Sequence, residues 1–455
     1  MDDLDRVRRQ VEANATRFVE RLSEACAIPS ISTEGKGLED MVAWLEERLE
    51  ELGANVSRLA VPGSPQAVLA EMGSDAGGRT LMIYDHYDVQ PVDPLNLWVS
   101  PPFEPTERGG MLFARGASDN KGDLVARLCA LEVYRDMYGD LPFRLKLFVE
   151  GEEESGSIHF PEICRAFTDR LRSDDCVWEG GWFDMDGRPE MYFGCKGLLY
   201  VELSCQKISG DQHSSVAVYA PSAAWELIKA LNSIKDDQGR VSIEGFYDDI
   251  AEADEEDGRL IEALPFNEEA IKELLEIDQF DRGLSGVELK RELLYGPTAN
   301  VSGFRSGYGV PGGQKTVLPA HALAKMDFRL VPRQDPEDIA EKLKKHLSDR
   351  GFFDVEVKVL SAEHPSRSPT DSAIGRAAQS AARAWFGQPT TIYPFMRATG
   401  PMHAIARGLG IPICSPPGVG RPDSNLHAPN EQCRIADYLS IIGYTIAYLR
   451  EYGRL

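Results

Sequence analysis

Residues 80–89 read TLMIYDHYDV and residues 144–157 read RLKLFVEGEEESGS. In each, an apolar run of strand length ends abruptly in acids. Between them a helical pattern covers Asp123–Tyr138, and AVLAEM at 67–72 adds another strand-like run. Strands alternating with helices predict an α/β domain with a mixed, largely parallel sheet and helices on both faces. In such sheets chemistry gathers beyond the carboxyl ends of strands, which is where DHYD and EGEEESGS stand.

Further along, a second pattern begins near Gly197. It runs LLYVELSCQ (198–206), a helix over Ser222–Ile234, an acidic helical stretch from Asp248 to Phe280, the strand ALAKMDFRLV (322–331), a helix over Pro336–Leu347 and the strand FDVEVKVL (353–360). Strand, helix, strand, repeated, predicts a ferredoxin-like α+β unit with one sheet and helices on a single face. After His364-Pro365 the first rhythm returns with a helix over Ile374–Phe386, TTIYPF, a helix over Met402–Leu409, IPICS and a terminal helix over Ile435–Tyr452. The expected division is a discontinuous first domain, 1–195 and 365–455, with residues 196–364 inserted.

At 455 residues, two or three domains are expected. With 73 acids against 49 bases the formal net charge is −24, and the Lys and Arg are scattered singly or in pairs. A chain of this kind repels phosphate backbones, which excludes nucleic acid and anionic membranes and leaves a small substrate. The first residues alternate charge at helical spacing, and no 18 apolar residues run together, so a cytoplasmic protein without a membrane span is expected. None of the eight cysteines forms a CxxC pair, which favours buried free thiols. EADEEDG (252–258) reads as a solvated acidic loop.

Four polar clusters carry the chemistry. His86 and Asp88 stand two apart at a strand end, where the carboxylate can accept the second imidazole N–H of a metal-bound histidine; a structural pair is the bland alternative. Asp119, in GASDNKGD (116–123), lies in a small-residue turn before a helix, where it or Asp123 could simply cap. Glu150, Glu152, Glu153 and Glu154 repel one another unless a cation neutralises them, and one could hold a metal while its neighbour acts as general base. His427, in SNLHAPNE (424–431), sits in a turn-rich loop with no helical face to bury it. Jointly they supply imidazole and carboxylate ligands that suit zinc, manganese or cobalt. No G-x-S-x-G occurs, and no cysteine has an evident histidine partner, which weighs against a serine or cysteine hydrolase.

With these residues in view, the chain resembles the dinuclear zinc aminoacylase and carboxypeptidase family, which includes nonspecific dipeptidases, acetylornithine deacetylase, succinyl-diaminopimelate desuccinylase and a glutamate carboxypeptidase. The stretches that carry the likeness are YDHYDVQPVDPLNLWVSPPFEP (84–105), GASDNKG, EGEEESGS, KTVLP (315–319) with FRLVP (328–332), and SNLHAPNE. The first and third look most like the dipeptidase branch. The resemblance implies a zinc-peptidase-like catalytic domain with an inserted lid and dimerisation domain. It also implies two Zn2+ per subunit (Mn2+ or Co2+ possible) with a hydroxide between them. His86 would hold one ion and Asp88 orient it, Asp119 would bridge, and Glu154 and His427 would hold the second ion, with Glu153 as general base. A shift of one in the Glu register would give Glu152 and Glu153 instead. The remaining ligand falls on Glu179 in DDCVWEGG (174–181), with Asp174 and Asp175 as substitutes. A cis peptide is implied between Asp119 and Asn120.

From the inserted domain the resemblance implies a homodimer in which His213 acts in trans on the scissile carbonyl. The usual Ser-Gly after that histidine is Ser214-Ser215 here. Arg329 would grip the substrate's free carboxylate, for which a bidentate guanidinium is suited. Asn300, Thr316 and Arg397 would be further substrate contacts, each open to a structural role. The implied reaction is hydrolysis of an amide or peptide bond beside a free carboxylate in a small peptide. An N-acyl amino acid deacylase is the alternative, and a non-catalytic metal- or peptide-binding relative a third reading.

Overall fold

The computed structural model describes residues 3–74 and 78–455. The chain forms two compact units: the first runs to Gly194 and resumes over Arg367–Pro394 and Pro401–Leu455, while the second comprises Cys195–Ser366 and Phe395–Gly400. No helix among the described residues is long and apolar enough to cross a membrane.

In the first unit the central sheet has six strands. Their order is Asn55–Leu59, Ala67–Gly73, Arg144–Glu150, Thr80–His86, Asp175–Val177 and Ile413–Cys414. The first two pairings are antiparallel and the other three parallel. Leu81–Tyr84 and Leu145–Val149 are buried without alternation, as strands covered on both faces must be. The helix Lys121–Tyr138 packs on this sheet and against Ile435–Tyr452, which also packs against Ala373–Phe386, where Ala377, Ala378 and Ala381 are buried. Small residues let these helices approach closely: a Cβ on Gly443 would come within 2.2 Å of the Trp385 ring.

Charged groups inside this core have polar partners. The Arg127 guanidinium, 3% exposed, donates to the fully buried Asp85 carboxylate and to the carbonyl oxygens of Tyr84 and Trp178. Lys121 Nζ donates to the carbonyls of Ala25 (2.9 Å) and Ile28 (2.6 Å), tying the end of an N-terminal helix to the start of the helix Lys121–Tyr138. All eight cysteines are free and buried.

The second unit is a βαββαβ arrangement. Its sheet order, Thr298–Ser306, His321–Leu330, Gly197–Gln206, Val355–Glu363, is antiparallel throughout. Along Gly197–Gln206 and His321–Leu330, buried and half-buried residues alternate, so one face lies under the helices Ala223–Ile234 and Pro336–Asp349. Ser222 and Asp335 cap those helices by accepting from backbone amides.

The acidic stretch departs from expectation. It breaks at Pro265 into the helices Glu255–Ala263 and Glu268–Leu275. EADEEDG is the start of the first of these. Asp254 caps it, Glu255 and Glu256 lie in the first turn where the helix dipole favours negative charge, and Asp257 is buried and accepts from the Tyr295 hydroxyl.

Arg127→Leu would leave Asp85 buried without its cation, at a cost of about 3–5 kcal/mol. The expected outcome is a lower denaturant midpoint, followed by tryptophan fluorescence; an unchanged midpoint would show that the pair adds nothing.

Candidate metal centre

Strand ends of the first unit deliver most of the polar side chains that converge. His86 closes the strand Thr80–His86, Glu153 and Glu154 lie in the turn after Arg144–Glu150, and Glu179 stands two residues beyond Val177. Asp119 comes from the turn before the Lys121 helix, and His427 from the loop between Pro417–Gly420 and Gln432–Arg434. The fully buried His86 ring places Nε2 3.2 Å from Asp119 Oδ1 and 3.8 Å from Glu179 Oε2. His427, its side chain 55% exposed, places Nε2 3.0 Å from Asp119 Oδ2 and 3.2 Å from Glu154 Oε2. Two ligand groups result, His86/Asp119/Glu179 and Asp119/Glu154/His427, within each of which the candidate atoms lie within 4.8 Å of one another.

The supporting residues fix this geometry. His86 Nδ1 donates to the Asp88 carbonyl oxygen (3.1 Å) and lies 3.4 Å from the Asp88 carboxylate, which leaves Nε2 facing Asp119. The strand has ended by Asp88, so its carboxylate turns to the next loop and accepts from the amides of Glu153 (3.1 Å) and Glu154 (3.0 Å). Gln90 Nε2 donates to Glu154 Oε2 at 2.9 Å. Glu152 faces elsewhere, pairing with His159 Nδ1 at 2.9 Å, whereas Glu153 and Glu154 are both held by Asp88. Asp174 accepts from the Thr80 amide and Asp175 from the Ile374 amide and Tyr452 hydroxyl, so neither belongs to a ligand group. Neither Asp119 nor Asp123 caps the Lys121 helix: Asp123 accepts from the Val419 amide. The Asp119-Asn120 peptide is cis.

The charges are unbalanced. Burial, with Glu154, Asp119 and Asp88 nearby, pushes Glu153 up to about 8 against the pull of His86. Burial likewise raises Glu154, and it lifts Glu179 well above the usual carboxylate range. Hydrogen bonds to Asp119 and Glu154 raise His427 to about 10. Asp119, although buried, is held below the usual carboxylate range by its bonds from His427 and His86. Buried carboxylates that resist ionisation beside imidazoles that resist deprotonation describe a centre short of positive charge. Mixed imidazole and carboxylate donors on two groups sharing one carboxylate fit a pair of divalent cations.

The second unit holds the other sequence-derived residues. His213 is exposed; its Nδ1 lies 2.9 Å from Ser215 Oγ, and Thr316 Oγ1 lies 3.3 Å from its Nε2. Asn300 donates to Asp327 (2.9 Å), and Arg329 Nη1 donates to Thr399 Oγ1 (2.7 Å). Arg397 is exposed.

Glu431 has a part that its sequence did not announce. Fully buried, it accepts from the amides of Gly116, Ser118 and Asp119, each at 3.0 Å, and from Arg115 at 2.6 Å. It lay within SNLHAPNE, yet an acid in a polar loop carries no mark of a partner some 312 residues away. Gln90 likewise carries no mark in the sequence of its partner Glu154.

The profile of peptidase family M20/M25/M40 matches residues 82–451. Human Beta-Ala-His dipeptidase is 29% identical over 415 residues, spanning 84% of this chain and 80% of its own length. Cys-Gly metallodipeptidase dug1 of Schizosaccharomyces pombe is 27% identical over 363 residues, 76% of this chain and 75% of that protein. The crystal structure of the M20 family metallo-carboxypeptidase Sso-CP2 from Sulfolobus solfataricus is 39% identical with a TM-score of 0.90, covering 96% of this chain and 99% of that one. The convergent imidazoles and carboxylates thus sit within a match that extends over most of the sequence, and the chain belongs to peptidase family M20/M25/M40.

Proposed function

We propose that this protein is a metal-dependent dipeptidase or carboxypeptidase that hydrolyses a peptide bond beside a free carboxylate. The observation that carries the reading is Asp119, shared by two ligand groups, with Glu153 held at the same turn as Glu154 by the Asp88 carboxylate. The relatives named as dipeptidases and as a carboxypeptidase favour peptides over N-acyl amino acids. His86, Asp119 and Glu179 would hold one ion and Asp119, Glu154 and His427 the other, with zinc first and manganese or cobalt as alternatives. When bound, such a pair supplies Lewis acidity that lowers the pKa of a water and polarises the amide carbonyl.

The protein's own residues do the rest. Glu153, the acid not committed as a ligand, takes the water's proton and passes it to the leaving nitrogen. Asp88 keeps the His86 tautomer and the Glu153–Glu154 turn in place. In this reading the second unit serves as lid and dimerisation domain. Its His213, supported by Thr316, hydrogen-bonds the scissile carbonyl in the partner subunit of a homodimer. Arg329 grips the α-carboxylate, with Asn300 as a helper. The eight free thiols suit a reducing cytosol.

A hydrolysis screen of dipeptides against N-acetyl and N-succinyl amino acids, with zinc, manganese and cobalt and a chelator control, tests the reading. Dipeptides should be cleaved best and the chelator should stop it; preferential cleavage of acyl amino acids would replace it with a deacylase. Glu153→Gln should lower kcat by at least about 10²-fold with metal content unchanged by elemental analysis. Asp119→Asn should bind fewer ions than the wild type and lose the rise in Tm that metal loading confers. Co-expressed His213→Ala and Glu153→Gln subunits should recover activity that neither homodimer shows. No recovery in isolated mixed dimers would overturn action in trans.

A further inference from the structure

Lys196 is a buried cation without a carboxylate of its own. It is 4% exposed, and its Nζ donates to the Gly296 carbonyl oxygen at 2.7 Å. An ammonium has three donors, and no other acceptor for this one occurs among the described residues. Glu292 favours its charge, but that carboxylate is engaged by Arg282 at 2.6 Å. Lys121, likewise buried, fills two donors with carbonyl oxygens where Lys196 fills one, so Lys196 keeps a donor for a further acceptor, and an anion would answer its charge as well.

Two more cations are organised around it in the second unit. The Lys196 amide donates to the carbonyls of Met396 (3.1 Å) and Ala398 (3.0 Å), which flank Arg397. Arg329 is fixed by Thr399 in the same segment and lies in register with Leu198 on one side and Thr298 on the other. Arg329 and Arg397 are near enough to oppose protonation of Lys196, which burial first, and then these charges, hold down at about 8. In a chain of net charge −24, one substrate α-carboxylate answers only one of these three cations.

We infer that Lys196 and Arg397 form a second anionic subsite beside Arg329, so that the preferred substrates are dipeptides whose C-terminal residue carries a side-chain carboxylate. This rests on the proposed peptidase reading, in which Arg329 takes the α-carboxylate. A charge-assisted bond made to glutamate and missing with glutamine separates two peptides of equal size.

The test compares kcat/KM for Gly-Glu and Gly-Gln on the metal-loaded protein, and the rise in Tm that each dipeptide gives on metal-free protein. The expected ratio favours Gly-Glu by about tenfold or more. It should fall toward one in Lys196→Met and persist in Lys196→Arg. Arg397→Gln, read on the same ratio, decides if Lys196→Met does not fold. A wild-type ratio near one, or an equal loss on both peptides in the variants, overturns the subsite and leaves the peptidase reading standing. Should neither peptide be cleaved with any metal while Gly-Glu alone stabilises the metal-free protein, the subsite stands and the peptidase reading fails.

Discussion

The Asp119 carboxylate lies between two imidazoles, and the turn that carries it is clamped by another carboxylate, that of Glu431. Three backbone amides and the Arg115 guanidinium converge on Glu431. Together they replace its hydration, so a buried anion can persist there. With the turn fixed, both Asp119 oxygens are directed, one toward His86 and one toward His427. Those two histidines belong to a sheet strand and to a distant loop, and Asp119 is the group that brings them to one place.

The two units manage charge in opposite ways. Acids accumulate at the carboxyl ends of the parallel strands in the first unit, where burial, and after it mutual repulsion, raises Glu153, Glu154 and Glu179. Such an arrangement is stable only with cations or protons to offset it. In the second unit Lys196, Arg329 and Arg397 collect around the 395–400 segment, and the nearby acid, Glu292, is already bonded to Arg282. An excess of negative charge suits a metal, and an excess of positive charge suits the carboxylates of a substrate.

Much of the framework was legible because it rests on periodicity. Apolar runs at 81–84 and 145–149, the second interrupted by Lys146, became strands buried on both faces, and the alternation in 197–206 became a sheet with one covered face. At 252–258 charge alone predicts a loop, but Asp254 followed by three acids is also a helix start. His86 and Asp88 are expected to meet through the carboxylate, and His86 Nδ1 lies 3.4 Å from that carboxylate as well as 3.1 Å from the Asp88 carbonyl oxygen. The strand stops at His86, so the Asp88 carbonyl meets the ring and its carboxylate serves the glutamate turn.

Local sequence decided which residue types stand at each strand end and turn, since backbone preference and apolar spacing act over a few neighbours. It therefore specified the elements, the supply of imidazoles and carboxylates, and the likeness to a known family. Only the tertiary structure decided that Glu431 would hold the Asp119 turn, that Glu152 would face His159 while Glu154 faces His427, and that Lys196 would be buried with its amide bonded to the segment carrying Arg397. Each of these joins residues far apart in the chain or selects among adjacent acids by their partners. Such choices depend on where charge and hydrogen-bonding groups meet once the sheets have formed, and short-range pattern carries no record of that.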